Sequence, residues 1–290
     1  MKPAAFDYLK PKTLDEALSL LDEYGYDAKV LSGGQSLIPM MNMRLARPPY
    51  LVDISGLKEM SYIEIDEEEV KIGGITRHYM VEHSEEIKKA CPMLAEGIKL
   101  IGHSQIRSRG TIGGSIVHAD PTAELPVMLT ALDGKVTVVS SEGEREMTPE
   151  ELFLTYMTTT MEPNEILTSV HFPVIPPRTG HAIEEFTLRS GDFALILAAA
   201  TVTLDEEGKI EQATLCVGGV DGVPVKLEDV TDELIGQYPS EELIAESCAQ
   251  IADLVDPEKD IHASAEYRKD LCVALSRRVL SKAAERAKQG

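Results

Sequence analysis

Apolar residues take up helical spacing almost at once: Ala17, Leu18, Leu20 and Leu21 follow Thr13-Leu14-Asp15-Glu16, a capping-box pattern, and the run stops at Gly25. This predicts an amphipathic helix over 13–24. Ala28 to Leu31 reads as a short strand, a glycine-rich loop (Ser32-Gly33-Gly34-Gln35-Ser36) and a short helical segment follow, and Tyr50 to Ile54 reads as a second strand. Tyr62-Ile63-Glu64-Ile65 and Val70-Lys71-Ile72 alternate on either side of an acidic turn, which predicts an antiparallel hairpin. A helix is expected around 84–101 and another from Ala123 to Leu132, closed by Gly134. Strands are expected from Lys135 to Ser140 and from Glu165 to Phe172, with a helix capped by Thr148-Pro149-Glu150-Glu151 between them.

The Pro-rich segment Pro173 to Pro177 reads as a linker, and the pattern changes beyond it. Two β-rich runs, Leu195 to Leu204 and Ile210 to Val217, flank the turn Asp205-Glu206-Glu207-Gly208, and helical stretches follow near 231–236, 240–255 and 264–288. The chain is expected to be α/β (α+β) in three units, 1–56, 57–175 and 178–290, the last an antiparallel sheet with a helical cluster. No internal repeat or low-complexity tract is visible.

The 290 residues suffice for real cores, and a formal charge of -21 argues against nucleic acid or an anionic membrane as partner. No apolar run is long enough to span a bilayer, and Met-Lys-Pro-Ala-Ala-Phe-Asp lacks a signal peptide's apolar region, so a cytoplasmic protein is expected. Cys91, Cys216, Cys248 and Cys272 have no metal-ligand spacing and read as buried reduced thiols.

Chemistry concentrates in a second glycine loop, Thr111-Ile112-Gly113-Gly114-Ser115, which ends the run Gln105-Ile106-Arg107-Ser108-Arg109-Gly110 and leads to Ala119-Asp120-Pro121. A glycine pair flanked by hydroxyl side chains, a few residues before a helix opening on Asp-Pro, is expected to offer bare backbone N–H groups to a polyanion. With Ser32–Ser36 far upstream, it suggests two walls of one cleft gripping a dinucleotide. Arg107 and Arg109, read as sharing one face of an alternating strand, either neutralise phosphate or form salt bridges. His103 and His118 read as surface or structurally bonded imidazoles, and Met40, Met41 and Met43 as core.

Beyond these loops, Phe6-Asp7-Tyr8 with Pro11, Leu51-Val52-Asp53, Gly191-Asp192-Phe193-Ala194 and Glu266-Tyr267-Arg268 complete a pattern that resembles the FAD-binding medium subunit of the molybdenum hydroxylases, of the carbon monoxide dehydrogenase and xanthine dehydrogenase type. The resemblance implies the FAD-binding fold shared with vanillyl-alcohol-oxidase-like (PCMH-type) flavoproteins, followed by a C-terminal sheet-plus-helices domain. It implies FAD as cofactor, its diphosphate held by Ser32, Gly33, Gly34, Gln35 and Ser36 and by Thr111, Ile112, Gly113, Gly114 and Ser115. Glu124 falls where relatives place an acidic residue on the FAD sugar, its alternative being to cap its own helix. Leu167 falls beside the flavin or adenine and Phe193 beside the isoalloxazine, each with a core role as alternative.

The resemblance further implies a small iron–sulfur subunit and a large molybdopterin subunit as partners, in a dimer of heterotrimers. Electrons would pass from the clusters to the FAD of this chain and on to NAD, a quinone, a cytochrome or oxygen. No residue is expected to act as a catalytic acid or base. A self-sufficient FAD oxidoreductase of the same fold and a nucleotide-binding regulatory protein without redox activity are the competing readings.

Overall fold

The structure is a computed structural model and describes residues 1–289. Its N-terminal part is a three-stranded parallel sheet in which Tyr50–Asp53 lies between Asp7–Leu9 and Ala28–Leu31. The helix Leu14–Tyr24 carries Ala17, Leu18 and Leu21 on its buried face, and the Thr13 hydroxyl accepts from the Glu16 N–H. The reciprocal half of the box is displaced by one residue, because the Glu16 carboxylate accepts from the Lys12 N–H at 2.7 Å.

A five-stranded antiparallel sheet follows, ordered Ile63–Ile65, Glu69–Gly73, Ile166–Pro173, Lys135–Ser140 and Gly143–Met147. Its central strand is buried along nearly its whole length, and short helices cover one face with Ile87, Met93, Leu94, Ile112 and Leu125. The helix expected around 84–101 is broken into Glu85–Ala90 and Pro92–Gly97. Pro92 is the cause: it has no N–H to continue the ladder, it disfavours the helical region for Cys91, and it fits the first turn of a new helix.

The C-terminal sheet is antiparallel in the order Thr179–Phe186, Ile196–Leu204, Ile210–Gly218 and Val225–Lys226. Ala198, Ala200 and Val202 face the long helix Ala265–Ala287, while Leu197 and Ala199 join the core of the middle sheet. A strand buried on both faces loses its alternating signature, so this run reads as continuously apolar. Gly180 lets that helix close in, since a Cβ there would overlap the Ala283 carbonyl. The same face is pinned by Glu96, which meets His181 at 3.4 Å and Arg286 at 3.0 Å. The His181 hydrogen bond and the Arg286 charge hold the Glu96 carboxyl down to about 2. Pro173 to Pro177 is likewise tied down, with the Ile175 N–H donating to the Ala90 carbonyl at 2.8 Å.

Six strands among the described residues escaped the periodicity reading, of which Phe153–Thr155, Thr158–Thr159 and Val225–Lys226 are two or three residues long. Gly143–Met147 is exposed and polar along most of its length, Asp7–Leu9 is only three residues long, and Thr179–Phe186 is buried on both faces.

Candidate functional site

Ser32–Ser36 leaves the end of the strand Ala28–Leu31 and enters the short helix Leu37–Asn42. Gly34 sits at φ +72°, a backbone region closed to most side chains. Among the described residues, no backbone carbonyl accepts from the N–H of Gly33, Gly34, Gln35 or Ser36. The Gln35 side chain turns back, donating through Nε2 to the Gly33 carbonyl at 3.1 Å.

Thr111–Ser115 is built differently from the sequence expectation. The glycine pair lies inside the first turn of a helix, Ile112–His118, capped by Thr111; the helix Glu124–Ala131 comes later. Its N–H groups are not bare. Ile112 donates to the Thr76 carbonyl and Gly113 to the Gly74 carbonyl, both at 2.9 Å, Gly114 donates to Thr111 Oγ1 at 3.3 Å, and Ser115 donates to the Thr111 carbonyl. The loop thus hangs on the Gly73-Gly74 turn at the end of the strand Glu69–Gly73. That third glycine pair was a signal in the sequence for close backbone approach.

The two loops meet directly. Ser32 Oγ and Thr111 Oγ1 are hydrogen-bonded at 2.9 Å across 79 residues of chain, and a Cβ on Gly33 would overlap the Arg109 carbonyl and lie 2.9 Å from Gly110 Cα. Gly114 is exposed; a Cβ there would approach only its own cap, Thr111, with Ser32 Cβ next at 3.9 Å. Beside the contact opens a cavity of about 240 Å³, lined by Ser32, Gly33 and Thr111, by Tyr79 and Met80, and by Lys58, Arg77 and Arg109. Among the described residues, no carboxylate lines it. Apart from Arg109, these last five were not among the sequence candidates, because nothing local in their segments marks them.

Arg107 and Arg109 do not lie on a strand, since Ser104–Arg107 is a single helical turn and Arg109 is in the loop after it. Arg107 makes a two-pronged pair with Glu82, Nε to Oε2 at 2.8 Å and Nη2 to Oε1 at 3.0 Å, and is structural; Arg109 faces the cavity. His78 lies buried beneath Gly110, neither ring nitrogen having a hydrogen-bond partner, and burial pushes its pKa down to about 4. The core reading holds for Met41, whereas Met43 is exposed. All four cysteines are buried and unpaired, and burial pushes Cys91 up to about 12.

Leu167 is buried directly under the second loop, its Cδ2 set 3.0 Å from where a Gly113 Cβ would sit. Phe193 is 63% exposed, so it is not a core residue. It rides the loop between Phe186 and Ile196, where Gly191 packs on the His103 ring just before the run into the second glycine loop. Glu124 opens the helix Glu124–Ala131 and is half-buried near Asp120 and Glu185, its carboxyl also turned towards its own backbone N–H at the start of that helix. Burial, with the Glu185 and Asp120 charges, pushes its carboxyl up to about 8, and burial alone pushes Glu185 to about 7.

For Glu185 the folded pKa is above the ordinary 4.5, so its contribution to stability is intact below pH 4.5 and is lost as pH rises through about 7. Glu185→Gln is therefore expected to raise the melting temperature of the flavin-free chain at about pH 9 and leave it unchanged at about pH 4. A pH-independent difference would show that Glu185 acts through packing.

Residues 4–175 match the FAD binding domain in molybdopterin dehydrogenase, and residues 181–283 match the CO dehydrogenase flavoprotein C-terminal domain. The 6-hydroxypseudooxynicotine dehydrogenase complex subunit alpha of Paenarthrobacter nicotinovorans is 40% identical over 288 residues, covering 99% of this chain and 97% of the relative. The carbon monoxide dehydrogenase medium chain of Afipia carboxidovorans is 32% identical over 99% of this chain and 100% of its own. Among solved structures, a chain of carbon monoxide dehydrogenase from Hydrogenophaga pseudoflava superposes with a TM-score of 0.95 at 30% identity, covering 99% of both chains.

Proposed function

We propose a function for this chain from the family to which it belongs, the FAD-binding medium subunits of the molybdenum hydroxylases of the carbon monoxide dehydrogenase type. It is the flavin module of such a complex, working with a small iron–sulfur subunit and a large molybdopterin subunit, as a dimer of heterotrimers in the cytoplasm. Units 1–56 and 57–175 hold the cofactor between them, and 178–290 closes over the flavin end. The observation that carries this reading is the meeting of the two glycine loops at Ser32 and Thr111, beside a cavity free of carboxylates.

The chain fits FAD. The first loop holds out N–H groups without a backbone partner among the described residues, and the cavity beside it is cationic in an acidic protein. FAD, when bound, supplies a two-electron store between the iron–sulfur clusters and an external acceptor. The chain's own residues bind and orient. Ser32–Ser36 and Thr111–Ser115 take the diphosphate end, Glu124 accepts from a sugar hydroxyl, Leu167 backs the second loop, and Phe193 lies beside the ring system.

The test is an absorption spectrum of the purified chain, expected to show oxidised flavin bands, followed by rapid mixing with the reduced partner subunits, expected to bleach them. A chain that binds no flavin, or one that oxidises a substrate without partners, would overturn the proposal. Phe193→Ala refines it. Because Phe193 is exposed, truncation is expected to change stability by no more than about 0.5 kcal/mol, while shifting the flavin reduction potential and its fluorescence quenching. Unchanged potential and fluorescence would remove Phe193 from the flavin.

A further inference from the structure

Two features of the site leave a dianionic diphosphate short of partners. The second loop's N–H groups from Ile112 to Ser115 are spent inside the chain, so only the first loop presents a row of backbone donors. The chain as a whole carries a charge of -21, a field that repels any phosphate. A cluster of cations at the site answers both.

We propose that Lys58, Arg77 and Arg109 are the phosphate-binding side chains of the dinucleotide site, a cationic wall that shares its cavity with Ser32 and Gly33 at the start of the first glycine loop. The proposal rests on the FAD reading and extends it to residues outside both glycine loops. The three come from separate segments, the turn after Tyr50–Asp53, the turn after Glu69–Gly73 and the approach to Thr111, and converge on the cavity between the loops. Acidic side chains outnumber basic ones 49 to 28 in this chain, yet among the described residues none lines the cavity. None of the ion pairs among the described residues involves these three cations.

Arg77 is also anchored, donating through Nη1 to the Ser108 carbonyl at 2.9 Å and towards the Arg109 carbonyl at 3.4 Å, so it ties the second loop while presenting its charge. Lys58 and Arg109 are exposed at the rim and free to close on a ligand. A phosphate held this way gains charge-assisted hydrogen bonds, which are about twice as strong as neutral ones. Tyr79 and Met80 supply an apolar surface in the same cavity for the adjoining nucleoside.

The experiment uses the full chain stripped of flavin, wild type and the double variant Lys58→Ala/Arg109→Ala, with Arg77 kept because it holds the loop. FAD and ADP affinities are titrated at ionic strengths of about 0.01 M and about 1 M, where the Debye length is roughly 30 Å and 3 Å. The double variant is expected to keep the wild-type melting temperature and to bind both ligands about 10- to 100-fold more weakly at low salt. The gap should narrow at high salt, and the spectrum of the flavin bound at saturation should be unchanged. Affinities within about twofold of wild type at both salts would overturn the cationic wall while leaving the flavin reading standing. ADP binding that depends on Lys58 and Arg109 in a chain that takes no FAD would do the reverse.

Discussion

Purified Gly33→Val protein is expected to be folded and colourless. A Cβ at position 33 would overlap the Arg109 carbonyl oxygen and sit 3.1 Å from the Arg109 carbonyl carbon, backbone atoms that lead directly into the capped helix Ile112–His118. The second loop is tied to Gly74 and Thr76 by two backbone hydrogen bonds and has little room to retreat. The first loop must therefore swing out, breaking the Ser32–Thr111 hydrogen bond and widening the cleft. Overpacking of this kind costs about 1–3 kcal/mol. Because the strain is relieved only by parting the two walls, it falls on ligand binding, which is about 5- to 150-fold in Kd before the lost donors are counted. Flavin content and circular dichroism on one sample check it. Full flavin occupancy would mean that the loops do not need to touch.

Gly113→Val is expected to fail differently, by losing the fold around the second loop. Its Cβ would lie 2.7 Å from the Gly74 carbonyl oxygen and 3.0 Å from both Gly74 Cα and Leu167 Cδ2, in a fully buried position. The substitution overpacks that contact and breaks the Gly113-to-Gly74 hydrogen bond, stranding a buried carbonyl. Overpacking at about 1–3 kcal/mol and a stranded acceptor at about 1–3 kcal/mol together approach the stability of a typical domain. A drop in melting temperature on the order of 10 °C should appear whether or not FAD is present. Loss of flavin at an unchanged melting temperature would show that Gly113 faces the ligand and not the strand beneath it.

These two glycines look alike in the sequence and both resemble cradle residues. What separates them is their neighbours. Gly33 faces the opposite loop and Gly113 faces the sheet, while Gly114 is exposed and nearest to the Thr111 hydroxyl that caps its helix.

Much of the local structure was legible in the residues. The helix Leu14–Tyr24, the strands Ala28–Leu31 and Lys135–Ser140, and the capping box at Thr148 follow from apolar spacing and hydroxyl caps, which act between residues a few positions apart. The positions of the two glycine loops were equally readable, and the resemblance of motifs pointed to the family that the comparisons then showed. Where a local reading failed, another local cause or burial explains it. Pro92 divided one helix, and burial on both faces hid the period of Thr179–Phe186.

The content of the cleft was decided by the fold. Whether an N–H is free for a ligand depends on which carbonyl reaches it, and the Gly74 and Thr76 carbonyls that claim the second loop come from a strand end some forty residues upstream. Lys58, Arg77 and Arg109 carry no shared sequence signal, and only the packing of three turns brings their charges to one cavity. Backbone preference and side-chain periodicity are properties of short segments, so the sequence determined the elements and the loop chemistry. Charge convergence, steric contact between loops and the competition for hydrogen-bond partners depend on distances through space, and those exist only once the sheets have assembled.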